Sequence, residues 1–102
     1  MVTNMESQYF SFDDLCSITE LSSETLVKIV EHGVVEPEGT APESWMFTTH
    51  MVTVTKKAVR LHRDLEIDWS GIALAISLLE ELEDLKKENE ELQRRLGRFI
   101  GG

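Results

Sequence analysis

The chain has 102 residues, the length of one small domain or of one domain with an appendage. A chain of this size buries only about 60 to 65% of its unfolded surface, which leaves little room for an enclosed substrate cavity. Apolar residues make up 41% of the sequence, too many for a disordered tail, yet no apolar run has the length of a membrane-spanning helix. The absence of a signal-peptide pattern and the single cysteine, Cys16, predict a cytoplasmic protein without an internal disulfide.

Charge is distributed unevenly along the chain. Nineteen acidic and ten basic residues give a net charge of −9, and residues 1–55 hold nine of the acids and one base, Lys28. Because nucleic-acid binding depends on cations of the protein, this acidic half argues against DNA and favours a basic protein partner. The simpler alternative is that the acidity only keeps the protein soluble.

Two short helices are predicted near the N-terminus, after ten residues that we interpret as a loose arm or a short strand. Ser11 and Asp14 have the spacing of a capping box at the start of the first helix. The second helix begins after Ser22 and ends at Gly33, since glycine adopts the left-handed conformation at low cost. With the turn at residues 18–21 between them, the two helices form a helix-turn-helix.

A wing is predicted to follow the second helix. Residues 34–36 and 45–47 have the composition of two short strands, and the loop between them contains Pro37, Gly39 and Pro42. This arrangement predicts a hairpin with a long, irregular tip.

The third helix is predicted to start near Thr48 or Thr49 and to end before a corner at residues 66–69. Lys56, Arg60 and Arg63 share one face of this helix and form the basic patch of the sequence. The apolar residues that recur at helical spacing, and that we expect to form its core stripe, are Met51, Val54, Ala58, Leu61 and Leu65.

The last and longest helix is predicted from Trp69 to Phe99, with Asp68 as its N-cap. Ile72, Ala73 and Ile76 are expected to pack on the preceding domain. Beyond them, a heptad seam predicts a homodimer, with one polar position that would set the register. The seam consists of Leu78, Leu82, Leu85, Asn89, Leu92, Leu96 and Phe99.

The orientation of the helices in such a dimer stays open at the level of the sequence. Glu81 and Lys86 have the five-residue offset of a parallel pair, whereas an antiparallel pair would place Glu81 opposite Arg95. An alternative to the dimer is that the helix packs against its own domain along its whole length.

No catalytic, metal or cofactor site is predicted. His32, His50 and His62 have no ligand spacing, and no glycine-rich loop follows a strand and opens a helix. Adjacent acids such as Asp13 and Asp14 point in different directions on a helix, which does not suit a catalytic pair. We therefore expect a protein that is not an enzyme.

The order of the elements resembles the MerR family of transcription regulators. The run GVVEP at residues 33–37 is similar to the step that leads into the wing of that family, and Arg60-Leu61 matches an Arg-Leu pair in its next helix. The resemblance implies a mainly α fold, a MerR-like winged helix-turn-helix with a long C-terminal coiled-coil helix. We expect residues 1–66 to form the winged domain and residues 67–102 the dimerisation helix.

A closer resemblance is to the CbpM family of chaperone modulators. It is carried by GVVEP at 33–37, AVRL at 58–61 and DWSGIA at 68–73, with Ser70 standing where that family has a proline. The shared residues also include Trp45 and Phe47, and several positions within residues 88–99. Before Gly33, only the pattern of short helices agrees. Members of this family bind the J-domain of CbpA, a DnaJ-type co-chaperone, and inhibit its work with a DnaK-type chaperone and its binding to DNA.

Two functions therefore compete at the level of the sequence, a J-domain-binding inhibitor and a MerR-like DNA-binding regulator. The second helix and the wing carry mostly acids, which favours the inhibitor because a J-domain presents a basic second helix to its chaperone. Which face docks stays open, since the basic patch could also meet acids of a J-domain. The residues that we expect to bind the partner are Asp13, Asp14, Glu20, Glu24, Glu31, Glu36 and Trp45.

Overall fold

A computed structural model describes residues 8–100, with side chains as far as Arg98. The predicted arm up to residue 7, the side chain of Phe99 and the two C-terminal glycines lie outside the described residues. The fold is mainly α, as predicted. In chain order its elements are β1 (Tyr9–Ser11), α1 (Phe12–Thr19), α2 (Ser23–Glu31), a 3-10 turn (Pro42–Ser44), β2 (Met46–Thr48), α3 (Thr49–Leu65) and α4 (Trp69–Ile100).

The predicted caps of α1 and α2 are confirmed. The Ser11 hydroxyl accepts a hydrogen bond from the Asp14 N–H, and the Asp14 carboxylate accepts one from the Ser11 N–H, each at 3.1 Å. The Ser22 hydroxyl accepts from the Thr25 N–H at 3.2 Å. These bonds satisfy N–H groups that have no partner within the helix, so the start of each helix is determined locally.

Just beyond α2, Gly33 has the predicted left-handed conformation, with a φ angle of +78°. The Gly33 N–H donates to the Val30 carbonyl at 3.0 Å, and the Val34 N–H donates to the Ile29 carbonyl at 3.1 Å. This pair of bonds is a Schellman motif, which turns the chain back so that Val34 packs in the core.

We expect Gly33→Ala to lower the free energy of unfolding by about 1 kcal/mol, because a Cβ disfavours the left-handed conformation. A Cβ at this position would have no atom within 4 Å, so the loss measures conformational strain and not a clash. Gly33→Asn is the matched control and should lose less, since asparagine tolerates this conformation. Urea denaturation measures both; equal losses for the two variants would contradict the explanation.

The prediction that residues 34–36 form the first strand of a hairpin is wrong. Residues 34–36 form no strand, and Val34 and Val35 are both buried in the core. β2 pairs instead with β1 in antiparallel register, Phe10 opposite Phe47. On the wing side, one isolated bridge joins Glu38 to Met46.

At the tip of the wing, the backbone at Gly39 lies very close to the backbone at Ser44. Gly39 has a φ angle of +114°, and a Cβ at this position would lie 2.6 Å from the Ser44 carbonyl oxygen. Only glycine allows the two segments to come this close.

α3 is buried on more than one side because it contacts α1, β2 and α4. Val54 and Ala58 of the predicted stripe are buried, and Met51 and Leu61 are half-buried. Leu65 is 58% exposed, so its assignment to the core is wrong; it is the last residue of α3, next to the left-handed Glu66. Among the described residues, the buried hydrophobic core consists of Leu15, Leu26, Ile29, Val34, Val35, Phe47, Val52, Val54, Ala58, Ile72 and Ile76.

The corner between α3 and α4 has the predicted cap. The Asp68 carboxylate accepts a hydrogen bond from the Gly71 N–H at 2.9 Å, and this bond is the largest cause of the lowered pKa of that carboxyl group. Trp69 stacks on His62 with ring centroids 3.9 Å apart, so this tryptophan has a structural role. The first turns of α4 complete the core with Ile72 and Ile76, as predicted.

Candidate protein-interaction surface

The predicted partner-binding acids on α1 are at its two ends. Asp13 and Asp14 are in its first turn and are exposed, and Asp14 is also engaged in the capping box. Glu20 follows the helix in the left-handed conformation, with a φ angle of 57°, and is exposed. None of these three residues lines a groove with the acids of α2.

Two predicted acids of α2 border an open groove of about 470 Å³, which we call the α2 groove. Glu24 and Glu31 are seven residues apart, so their side chains project from the same side of the helix, two turns from each other. Phe12, Val27 and Pro42 supply apolar surface between and beside them. The remaining lining residues are Ser23 and Lys28.

Lys28, the basic residue of the α2 groove, does not cancel the negative charge of the acidic residues there. Lys28 Nζ lies 3.7 Å from Glu24 Oε1, and both side chains are more than half exposed. Such a surface pair contributes little free energy, so a basic partner can replace Lys28 at low cost. Glu31, one turn further on, adds a second carboxylate and makes the groove suitable for a cationic ligand.

Trp45 packs against Phe12, one of the residues that line the α2 groove. Its ring is tilted against Phe12 with centroids 5.9 Å apart, and it meets Phe47 edge-on at 6.3 Å. Trp45 is half-buried and holds Phe12 in place, although it does not itself line the groove. The prediction named Trp45 and missed Phe12, Val27 and Pro42, because their juxtaposition depends on how the wing crosses α1 and α2.

Glu36, the last of the predicted acids, lies in a different groove of about 330 Å³ between the wing, α3 and α4. There it lines the same surface as Glu80, whose Oε2 is 3.5 Å from Nε2 of His50. Of the predicted set, Glu24 and Glu31 therefore border one groove, and Trp45 packs against Phe12 of its lining.

The chain matches known proteins along most of its length. Residues 10–94 match the family described as MerR HTH family regulatory protein. The chaperone modulatory protein CbpM of Pseudomonas putida is 50% identical over 86 residues, 84% of this chain and 85% of that protein. The proteins of the same name from Pseudomonas entomophila and Escherichia coli are 48% identical over 85 residues (83% and 84%) and 42% identical over 91 residues (89% and 90%), respectively.

The chain belongs to the CbpM family. The resemblance predicted from the sequence is confirmed, and with it the MerR-like helix-turn-helix fold. Both family descriptions are of regulatory proteins and not of enzymes.

The one thiol of this CbpM-family chain is structural. Burial is the largest cause of the raised pKa of Cys16; the charge of Asp13 adds to it, and a hydrogen bond with Ser23 opposes it. A raised pKa keeps the sulfur protonated and unreactive near neutral pH. Across residues 8–98, the structure contains no group of three His, Cys, Asp or Glu residues that could hold a metal ion.

The predicted seam of α4 is exposed in a single chain from Leu78 to Leu96. Its leucines are between 54% and 64% exposed, and Asn89 is exposed with them. Every residue of α4 from Ser77 to Arg98 is exposed. Across the described residues, no helix has both the length and the apolar character that crossing a membrane requires.

Proposed function

We propose that this protein is a chaperone modulator that binds the J-domain of a CbpA-type, DnaJ-like co-chaperone through the α2 groove. The family to which the chain belongs supports the chaperone-modulating role. The observation that carries the binding mode is the α2 groove itself, which combines two carboxylates with apolar surface from Phe12, Val27 and Pro42. A surface that binds an amphipathic basic helix needs this combination, because carboxylates pair with the cations of the helix and apolar side chains cover its apolar face.

The groove accounts for inhibition by direct occlusion. The second helix of a J-domain is the basic surface that its DnaK-type chaperone contacts. When Glu24 and Glu31 pair with cations of that helix, its apolar side chains can cover Phe12 and Val27. The chaperone and the modulator then compete for the same residues, and no distant conformational change is needed.

The same binding mode would weaken the attraction of the co-chaperone to DNA. Each bound chain brings a net charge of −9, and part of that charge lies on the face that contacts the co-chaperone. Fewer free cations remain to displace counterions from the phosphate backbone, which lowers DNA affinity.

We also propose that the protein acts as a homodimer through the seam of α4. Leu78, Leu82, Leu85, Leu92 and Leu96 leave most of their apolar surface in water in a single chain, and a second helix would cover it. Because no described residue of α4 lines the α2 groove, pairing through the seam would leave the lining of that groove free to bind a partner.

Calorimetric titration of the full chain with an isolated J-domain tests the proposed function. We expect saturable binding with one J-domain per chain, and loss of J-domain-stimulated ATP hydrolysis by the DnaK-type chaperone at the same ratio. No heat and no inhibition at a large excess of modulator would reject the proposal.

We expect no binding to DNA, in contrast to MerR-type regulators. The face of α2 that would enter a groove of DNA carries Glu24 and Glu31, and Lys28, its one cation, already lies 3.7 Å from Glu24. A gel-shift titration at low salt tests this expectation, because low salt strengthens any electrostatic binding to DNA. A MerR-type regulator and its operator serve as the positive control. Saturable binding that weakens as salt rises would favour the transcription-regulator alternative.

A further inference from the structure

A further groove, opposite in charge to the α2 groove, lies between the end of α1 and one face of α3. We call it the basic groove; its volume is about 250 Å³. Its lining consists of Ile18, Thr19, Lys56, Val59, Arg60 and Arg63. These residues include the whole basic patch predicted from the sequence and none of the residues of the α2 groove. No acid is among them in the described part of the chain.

The three cations of this groove lie side by side, and two of them form no ion pair with an acid among the described residues. Lys56, Arg60 and Arg63 recur every three or four residues, so they share one face of α3. Arg63 Nε lies 3.4 Å from Asp64 Oδ1. The other ion pairs between described residues involve neither Lys56 nor Arg60.

Apolar surface lies next to these cations. Ile18 is 39% exposed although it is a large aliphatic residue, and Val59 is half-buried beside it. A ligand that pairs with the cations would also cover Ile18. The groove therefore fits a segment that carries several carboxylates and at least one apolar side chain.

We propose that the basic groove binds an acidic peptide segment of a protein partner, independently of the α2 groove. Carboxylates of the segment pair with Lys56, Arg60 and Arg63, and an apolar side chain of the segment packs on Ile18 and Val59. DNA is disfavoured as the occupant because three cations neutralise few phosphates.

The test uses the full chain and a fluorescein-labelled, glutamate-rich peptide with one central leucine. Fluorescence anisotropy measures its affinity, and amide NMR shifts map its position. We expect shifts centred on Ile18 and Val59, and no binding of the same peptide with glutamine in place of glutamate. Lys56→Glu with Arg60→Glu should weaken binding about tenfold or more, about 1.4 kcal/mol.

Lys57→Glu is the control for a charge reversal on α3, because Lys57 is exposed on the same helix but does not line the groove. The variant should bind the peptide within about twofold of the unchanged protein, since it loses only long-range attraction. The proposal is overturned if the peptide does not bind, if its shifts lie elsewhere, or if Lys57→Glu weakens binding as much as the double variant. Tighter binding of a DNA duplex at the same residues would overturn it as well.

Discussion

Glu24→Lys with Glu31→Lys should weaken binding of an isolated J-domain a hundredfold or more, a loss of about 2.7 kcal/mol. The two carboxylates border the α2 groove two helical turns apart, so a basic helix that lies in the groove meets both. Breaking a desolvated charge pair at an interface costs about 2 to 5 kcal/mol, whereas a rim charge mainly changes the association rate. Calorimetry at low and at high salt distinguishes these cases.

Glu83→Lys with Glu90→Lys is the matched control for that experiment. These residues are also acidic, exposed, helical and seven positions apart, and they lie on the outer side of α4, away from the seam. This variant has the same net charge as the groove variant, so its affinity reports the general electrostatic contribution alone. If both variants lose the same affinity, or if the folded groove variant binds normally, the J-domain is not held by the α2 groove.

Leu85→Lys with Leu92→Lys should convert the proposed dimer into a monomer. The two side chains are 61% and 55% exposed in a single chain, so the substitution costs little in an isolated chain. In a dimer it would place four ammonium groups in an apolar seam, where unpaired charges are strongly unfavourable. Light scattering should report about twice the chain mass of 11.6 kDa for the unchanged protein and that mass itself for the variant.

Leu65→Lys controls for the loss of an exposed leucine elsewhere. Leu65 is 58% exposed and lies at the end of α3, outside the seam, so the mass of this variant should equal that of the unchanged protein. A monomeric mass for the unchanged chain, or a seam variant that remains dimeric, would contradict the proposed role of α4.

The sequence by itself determined the helix boundaries, because the groups that start and end each helix are close together in the chain. The hydroxyl of Ser11 and the carboxylate of Asp68 each bond an N–H three residues later, and Gly33 ends α2 through bonds within its last turn. Such short-range bonds depend little on the rest of the fold. The apolar seam of α4 can likewise be predicted from the sequence, since the heptad spacing of its residues places them on one face of the helix.

The tertiary structure alone decided which distant segments meet. β2 pairs with β1, whereas toward the wing a single bridge joins Met46 to Glu38. Val34 and Val35 are buried in the core outside any strand. The α2 groove joins Phe12, Val27 and Pro42, and the basic groove adds Ile18 to a patch that the sequence had placed on α3 alone. Surfaces of this kind depend on packing between elements, which no local pattern encodes.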